Sequence, residues 1–366
     1  MPQKILHIVK ALSLGGTEKV MQLMVTNLNR KFFQPVVCSL ADGQRAAILR
    51  QAGINTYVEG DLFTNIVKIK PELIHVHRAG WAEPEYMRPI ISARRLLQNK
   101  TGKIIPIVET NVFGHHDPSP AGREVDCTLF VSHFCARRFS KINNIEIKAP
   151  RYDVLYNPID FDTIKNLSPI TQKRDYSRPV IGRVSRPDPG KWSNLALSWL
   201  PQACAARPDL SYLIIGGIEA AEEYVQTNQL EKQVQFLPPF IYDNDLAKFL
   251  SGISIFAHAN DRGESFGLVI AEAMAAGLPV ITHPCEGLRD NAQLELVEHE
   301  RTGLVVNSSK QYAEAILWLL GNPDEARRMG EAGQAKAAAL FSSKVIAFEL
   351  EIIYQNLLAP SYQPNI

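Results

Sequence analysis

Short apolar runs alternate with longer amphipathic stretches from the first residues of the chain to its last third. Ile5 to Val9 is an apolar run of the kind expected for a strand buried on both faces. A helix-periodic stretch follows from Lys19 to Asn29, with Val20, Leu23, Met24 and Leu28 on one stripe. Further runs recur at Val36 to Leu40, Leu73 to Val76, Ile104 to Val108 and Thr128 to Val131. Between them, Ala46 to Ala52, Glu85 to Gln98 and His133 to Lys141 read as helices. This alternation predicts a βαβ series and hence a parallel sheet. Right-handed crossovers would put the post-strand loops on one edge, carrying His77, Glu109 to His116, Ser132 and Asn157. A polar stretch, Leu167 to Arg178, reads as a linker. A second winding then begins at Pro179 to Ile181 and continues through Tyr212 to Ile215, Val234 to Leu237, Ile253 to Ala257, Val280-Ile281 and Thr302 to Val306. From Lys310 onward the pattern is helical, ending in Ser342 to Tyr354.

Length and composition narrow the class. At 366 residues the chain suggests two domains, and 46% hydrophobic with 21% charged residues is ordinary for a globular protein. A net charge of +1 gives no pull toward nucleic acid, so none is expected as a partner. Five cysteines without a C-x-x-C pair read as reduced thiols of a cytosolic protein. The N-terminal segment has no signal-peptide pattern, and no run reaches the roughly 18 apolar residues of a membrane span. A basic cluster, Arg137, Arg138, Lys141, Lys148 and Arg151 after Arg94, Arg95 and Lys100, reads as a solvated face or as a peripheral contact with an anionic membrane.

The richest stretch is Asp261 to Pro279. Glu264 and Glu272 are eight positions apart, roughly 80° out of phase on one helix, so they cannot share a face. If the helix opens near Phe266 or Gly267, Glu264 hangs over its N-terminus and Glu272 lies a turn inside. Free amides at Phe266, Gly267 and Leu268 then form an anion site. A phosphate for the amides and hydroxyls for the carboxylates together describe a nucleotide sugar. Near the start of the chain, Ser13 to Glu18 places Gly15 and Gly16 between a strand and a helix, another phosphate-binding layout. It is not G-x-G-x-x-G, so the dinucleotide fingerprint and hydride chemistry are disfavoured.

Glu264-Ser-Phe-Gly-Leu-Val-Ile-Ala-Glu272 followed by Ala-Met-Ala-Ala-Gly-Leu-Pro resembles the E-x7-E signature of retaining GT-B glycosyltransferases of family 4. Gly182-Arg183 with Lys191 is similar to the family's G-R…K segment, Asn157 to Asp160 to its N-P-[IV]-D segment, and Thr302 to Val306 to its close. The resemblance implies two Rossmann-like domains facing a cleft: an acceptor domain at 1–165, to which a helix at 343–359 returns, and a donor domain at 178–342. It implies that Arg183 and Lys191 hold the donor diphosphate, with Arg186 as an alternative to Arg183 because the segment carries an insertion. Glu264 would hold sugar hydroxyls and Glu272 the ribose, with Gly15, Gly16 and Ser265 to Leu268 also at the donor. The leaving phosphate oxygen helps deprotonate the acceptor in such enzymes, so neither metal nor cofactor is expected. Asp160-Phe-Asp162 matches D-x-D but follows a proline in a polar connection and reads as linker. His115 and His116 lie in the loop where the family often has a cleft histidine, without matching its pattern, and are given no role.

The expected partners are a UDP- or GDP-sugar donor and a saccharide, lipid-linked or small-molecule acceptor, with cell-surface polysaccharide synthesis as a setting. Two rivals remain: an epimerase or phosphorylase of the same fold, and a silent nucleotide-sugar-binding subunit.

Overall fold

The computed structural model describes residues 1–58, 60–167, 174–240 and 243–362. Half of the expected linker, 168–173, lies outside the described residues. The chain divides into two compact units, Met1–Pro158 with Ser343–Ile366 and Ile159–Ser342.

The first unit runs β1 (Gln3–Ala11), α1 (Gly16–Asn27), β2 (Phe33–Ala41), α2 (Gln44–Gln51), β3 (Asn55–Val58), α3 (Leu62–Ile69), β4 (Leu73–Arg78), α4 (Pro84–Thr101), β5 (Ile107–Asn111), α5 (Pro120–Arg123), β6 (Cys127–Phe130), α6 (His133–Asn143) and β7 (Tyr152–Val154). Among the described residues its sheet has seven strands in the order β3-β2-β1-β4-β5-β6-β7, all parallel. Both faces are covered, and the period of two sorts the side chains. Leu6, Ile8, Val36, Cys38, Ile74 and Val76 pack under α3 and α4, whereas Val9 and Val37 pack under α1 and α2. Short polar caps set the helix starts: Asp61 accepts from Thr64 N, and Ser132 Oγ accepts from Cys135 N at 3.1 Å.

The second unit runs α7 (Phe161–Leu167), β8 (Val180–Val184), α8 (Leu200–Ala206), β9 (Ser211–Ile215), α9 (Glu219–Thr227), β10 (Val234–Leu237), α10 (Asp243–Ser251), β11 (Ile255–Ala257), α11 (Leu268–Ala275), β12 (Val280–Thr282), α12 (Gln293–Leu296), β13 (Gly303–Val305), α13 (Ser309–Gly321) and α14 (Pro323–Leu340). Its six described strands are parallel in the order β10-β9-β8-β11-β12-β13, the Rossmann order in which winding reverses between the first and fourth strands. Trp199, stacked on Tyr312 at 5.9 Å, anchors the core. The first unit ends at Pro158 rather than at 165, because α7 buries Phe161 and Ile164 and packs against α10 and α11. Asp160 caps that helix, its carboxylate accepting from Thr163 N at 3.2 Å. The last helix, α15 (Ser343–Leu358), belongs to the first unit and packs on α1. No helix among the described residues is long and apolar enough to cross a membrane.

Candidate active site

In the second unit the winding reverses between β8 and β11, so the loops after these adjacent strands open a crevice at the carboxyl edge. Both loops carry the chemistry. The loop after β8 closes in a 3-10 turn, Pro189–Lys191, whose start is pinned by the Asp188 carboxylate accepting from Gly190 N at 2.8 Å. The loop after β11 carries His258, Asn260 and Glu264 before α11.

Lys191 and Glu264 meet across these loops: Lys191 Nζ donates to Glu264 Oε2 at 2.8 Å. Asn260 Nδ2 donates to Oε1 at 2.6 Å, and His258 Nε2 lies 3.2 Å from the same oxygen. The backbone of Glu264 is fixed as well, its N–H donating to Gln293 Oε1 at 3.0 Å and its carbonyl accepting from Ala292 N at 2.9 Å. Burial alone would raise the carboxyl pKa; the His258 hydrogen bond and the Lys191 charge outweigh it and hold the group at about 2. Burial lowers the pKa of His258, so this ring contributes a hydrogen bond rather than a charge. Its tautomer follows from its partners: Nε2–H faces the carboxylate and Nδ1 accepts from Thr282 Oγ1 at 3.0 Å. His283 is fixed similarly, Nε2 accepting from Asn260 N at 3.0 Å and Nδ1–H donating to Pro284 O at 2.9 Å.

The remaining candidates fall into place around this pair. Arg183, at the end of β8, is 1% exposed; its guanidinium donates to Lys191 O at 2.5 Å and lies 4.5 Å over the Trp192 ring. The two cations of the sequence reading are therefore layered, Lys191 at the surface and Arg183 bracing it from below. Arg186 is exposed. Helix α11 opens at Leu268, with Gly267 as N-cap at φ 100°, its carbonyl accepting from Ile270 N and Ala271 N at 3.0 and 3.1 Å. The amides of Leu268 and Val269 thus have no acceptor inside the helix. Phe266 turns its ring into the core, edge-on to Phe341 at 5.3 Å, and Ser265 Oγ donates to Asp290 at 2.7 Å. Glu272 lies one turn into α11 and is buried.

Gly15 and Gly16 belong to the first unit, where Gly15 is the N-cap of α1 and the Glu18 carboxylate folds over it. His77 does not lie in an edge loop: it is inside β4, buried, and hydrogen-bonded through Nε2 to His7 Nδ1 at 3.0 Å. His115 is exposed and His116 is half-buried, edge-on to Phe139 at 5.5 Å.

Sequence reading did not single out His258, Asn260, Gln293 or Arg262. Arg262 lies against Gly190, whose hypothetical Cβ would sit 2.3 Å from its guanidinium carbon, beside the Lys191 turn. Gln293 comes from a helix 29 residues past Glu264, a pairing no local pattern announces. Among the described residues one group has the spacing to hold a metal ion, His7 with His75 and His77. Their rings stack, with His75 and His77 at 4.4 Å and 18°, and both nitrogens of His7 and of His75 and Nε2 of His77 already face one another, Tyr354 or Thr110.

The description "Glycosyl transferases group 1" is that of the family model matching residues 168–336. The chain is 30% identical over 255 residues to a GDP-mannose-dependent monoacylated alpha-(1-6)-phosphatidylinositol monomannoside mannosyltransferase of Corynebacterium glutamicum, covering 64% of this chain and 63% of the relative. It is 25% identical over 205 residues to a phosphatidyl-myo-inositol mannosyltransferase of Mycobacterium tuberculosis, covering 55% of this chain and 53% of the relative. The aligned stretches thus span less than two thirds of these relatives' length. Over nearly its whole length the chain superposes on Anabaena HepE in complex with UDP and glucose (TM-score 0.75, 20% identity, 96% of this chain and 99% of that one). It also superposes on a glycosyltransferase from Rickettsia africae (TM-score 0.79, 17% identity, 98% and 100%). Residues 168–336 thus match the glycosyl transferases group 1, on a chain with the GT-B fold.

Proposed function

We propose that this chain is a retaining glycosyltransferase that moves a sugar from a nucleoside diphosphate to a saccharide or lipid-linked acceptor. The observation that carries the reading is the Lys191–Glu264 pair, preassembled at the reversal point of the second sheet above the open amides of α11. In the transfer, the C1–oxygen bond to the diphosphate breaks and a C1–oxygen bond to the acceptor hydroxyl forms. The hydroxyl proton passes to the leaving phosphate oxygen. Lys191, with Arg262 beside it, offsets the charge that develops on the diphosphate, and the α11 amides add fixed dipoles. Glu264, held ionised, accepts hydrogen bonds from sugar hydroxyls, and Glu272 is assigned to the ribose. Arg183 holds the Lys191 turn in place. The chemistry assigned to these residues requires no metal.

The mannosyltransferase relatives favour GDP-mannose as donor, and the UDP-bound structural neighbour makes UDP-glucose the second choice. Peripheral membrane contact is part of the proposal: Arg137 and Lys141 line an open hollow of about 410 Å³ beside α6. In the basic cluster as a whole, Arg94 and Arg95 are taken up by Glu124 and Asp126.

A thermal-shift screen with GDP, UDP, ADP and their sugar conjugates tests the donor site. One nucleotide family at 100 times its dissociation constant should stabilise the protein by about 2.7 kcal/mol. Glu264→Gln should leave nucleotide binding within a fewfold and abolish sugar release from the conjugate. Absence of a shift with every nucleotide would sink the reading.

A further inference from the structure

The carboxyl edge of the first unit's sheet presents two large aromatic rings to solvent. Trp81 follows β4 and is 45% exposed; Phe113 follows β5, the adjacent strand, and is 40% exposed. Single exposed apolar side chains are ordinary. These two are arranged: their rings lie nearly parallel, 17° apart with centroids at 5.9 Å, and His115 packs against both, at 5.3 Å from Trp81 and 6.4 Å from Phe113.

The backbone that carries them is tied down at three points. Arg78 Nη1 donates to Trp81 O at 2.8 Å, Arg138 donates to Phe113 O, and Asn111 Nδ2 donates to His115 O at 2.8 Å. Arg78 is itself buried and held between Glu109, at 3.0 Å, and Asp117, at 2.9 Å, so the group that ties Trp81 O is fixed in place. A platform fixed in advance pays little ordering entropy when something lies down on it.

Such a surface has a chemical complement. The face of an aromatic ring carries the negative part of its quadrupole, which attracts polarised C–H bonds. A pyranose offers C–H bonds on its faces and hydroxyls around its rim. The rim here is polar, because His115 touches both rings. An imidazole suits hydroxyls and does not suit an acyl chain. The platform also lies where parallel α/β sheets take ligands, after β4, beside the reversal between β1 and β4.

We infer that Trp81 and Phe113 form a stacking platform for a sugar ring of the acceptor, with His115 reading its hydroxyls. The inference rests on the glycosyltransferase reading and adds to it the acceptor's chemical class at this position, a pyranoside. It uses no residue of the donor site.

The test is a two-dimensional NMR titration of the full chain. The indole N–H of Trp81 is assigned by its loss in Trp81→Phe, and the probes are mannobiose, maltose, cellobiose and chitobiose at millimolar concentration. At least one disaccharide should move the Trp81 signal. Trp81→Ala and Phe113→Ala should each weaken that binding by roughly tenfold, the size of one lost ring contact. Trp81→Phe, which keeps a ring, should bind within a fewfold of the original chain. Nucleotide affinity should be unchanged in all three, and matching thermal midpoints would show that they fold. If no disaccharide moves Trp81, or if the alanine variants bind as the original does, the platform is not a sugar site. Phosphatidylglycerol vesicles captured by the original chain and lost in the alanine variants, without any sugar effect, would assign the rings to lipid and overturn it too. Loss of nucleotide binding in the original chain would instead strike the donor reading, and the two failures are separable.

Discussion

Glu264 is a largely buried carboxylate with three polar partners, of which one is a cation. His258 and Asn260 supply neutral hydrogen bonds, and Lys191 supplies the charge. The carboxyl pKa is held below that of an unfolded glutamate, so the pair stabilises the fold above the unfolded value and this contribution is lost as pH falls toward about 2. Lys191→Met removes the charge while leaving burial in place. The carboxyl pKa should then rise, moving the acid limb of nucleotide-sugar binding to higher pH. Carbon-13 NMR of the Glu264 carboxyl, assigned through Glu264→Gln, reads this directly. Stability should drop by about 1–3 kcal/mol, because one side of a largely buried pair is left without its partner. An acid limb that stays in place would mean that Lys191 does not set the ionisation of Glu264.

At the level of elements, the strands that organise both sheets were legible because a parallel strand buried on both faces must be apolar throughout. β1, β2, β4, β8, β9 and β12 all overlap runs read from sequence. The pair β3 and α3 was not read: Asn55-Thr-Tyr-Val58 is short, half-buried and mixed in polarity at a sheet edge, where the apolar rule relaxes. The E-x7-E stretch placed Glu264 ahead of the helix and Glu272 inside it. What it could not show is the shell around Glu264, since Lys191, Gln293 and Ala292 come from other segments that only the closed fold brings near. Gly263 shows how tightly that shell is drawn. Its φ is +71°, and a Cβ there would sit 1.5 Å from Asp290 O. Gly263→Ala must therefore push the Glu264 loop away from the Asp290 segment. Nucleotide-dependent sugar release should fall by roughly a hundredfold, the cost of misplacing a reacting group by about an ångström. The change should remain local, with the far-UV circular dichroism of the chain preserved. A variant with undiminished turnover would show that the loop adapts without consequence for the site.

Across the whole molecule, the chain leaves the first unit, builds the second and returns in α15, and its return is secured by histidines. His7 in β1 pairs in register with His75 in β4, and His77 follows two positions on, so all three project from the sheet face opposite Ile74 and Val76. Tyr354 of α15 covers them: its hydroxyl lies 2.5 Å from His75 Nδ1 and 3.3 Å from His7 Nε2. Thr110 Oγ1 closes the far end, 2.8 Å from His75 Nε2, and His7 Nδ1 meets His77 Nε2 at 3.0 Å. With every ring neutral, one proton per hydrogen bond runs through the series in a single direction. A second proton on any ring sets two donors against each other or leaves a charge in the core. Burial accordingly lowers all three pKa values, His77 to about 3, with repulsion from His77 also lowering His7 and His75. These are bases held neutral in the folded state. Their contribution is complete above the unfolded value near 6.5 and is lost as pH falls below it, because the unfolded chain then binds the extra protons. At pH 5 each imidazole should cost about 2 kcal/mol relative to neutral pH. Trp81 is the sole tryptophan of the first unit, the others being Trp192, Trp199 and Trp318, so its fluorescence should report this unit's unfolding separately. In the Trp192→Phe, Trp199→Phe, Trp318→Phe background, the urea midpoint should fall steeply between pH 7 and pH 5. His77→Asn should flatten that slope by about one proton while lowering the midpoint at pH 7. Tyr354→Phe should lower the midpoint at both pH values and leave the slope nearly intact, since the rings still titrate. A midpoint independent of pH in the original chain would mean that the three imidazoles accept protons without disturbing the core, and the docking of α15 would not depend on their neutrality.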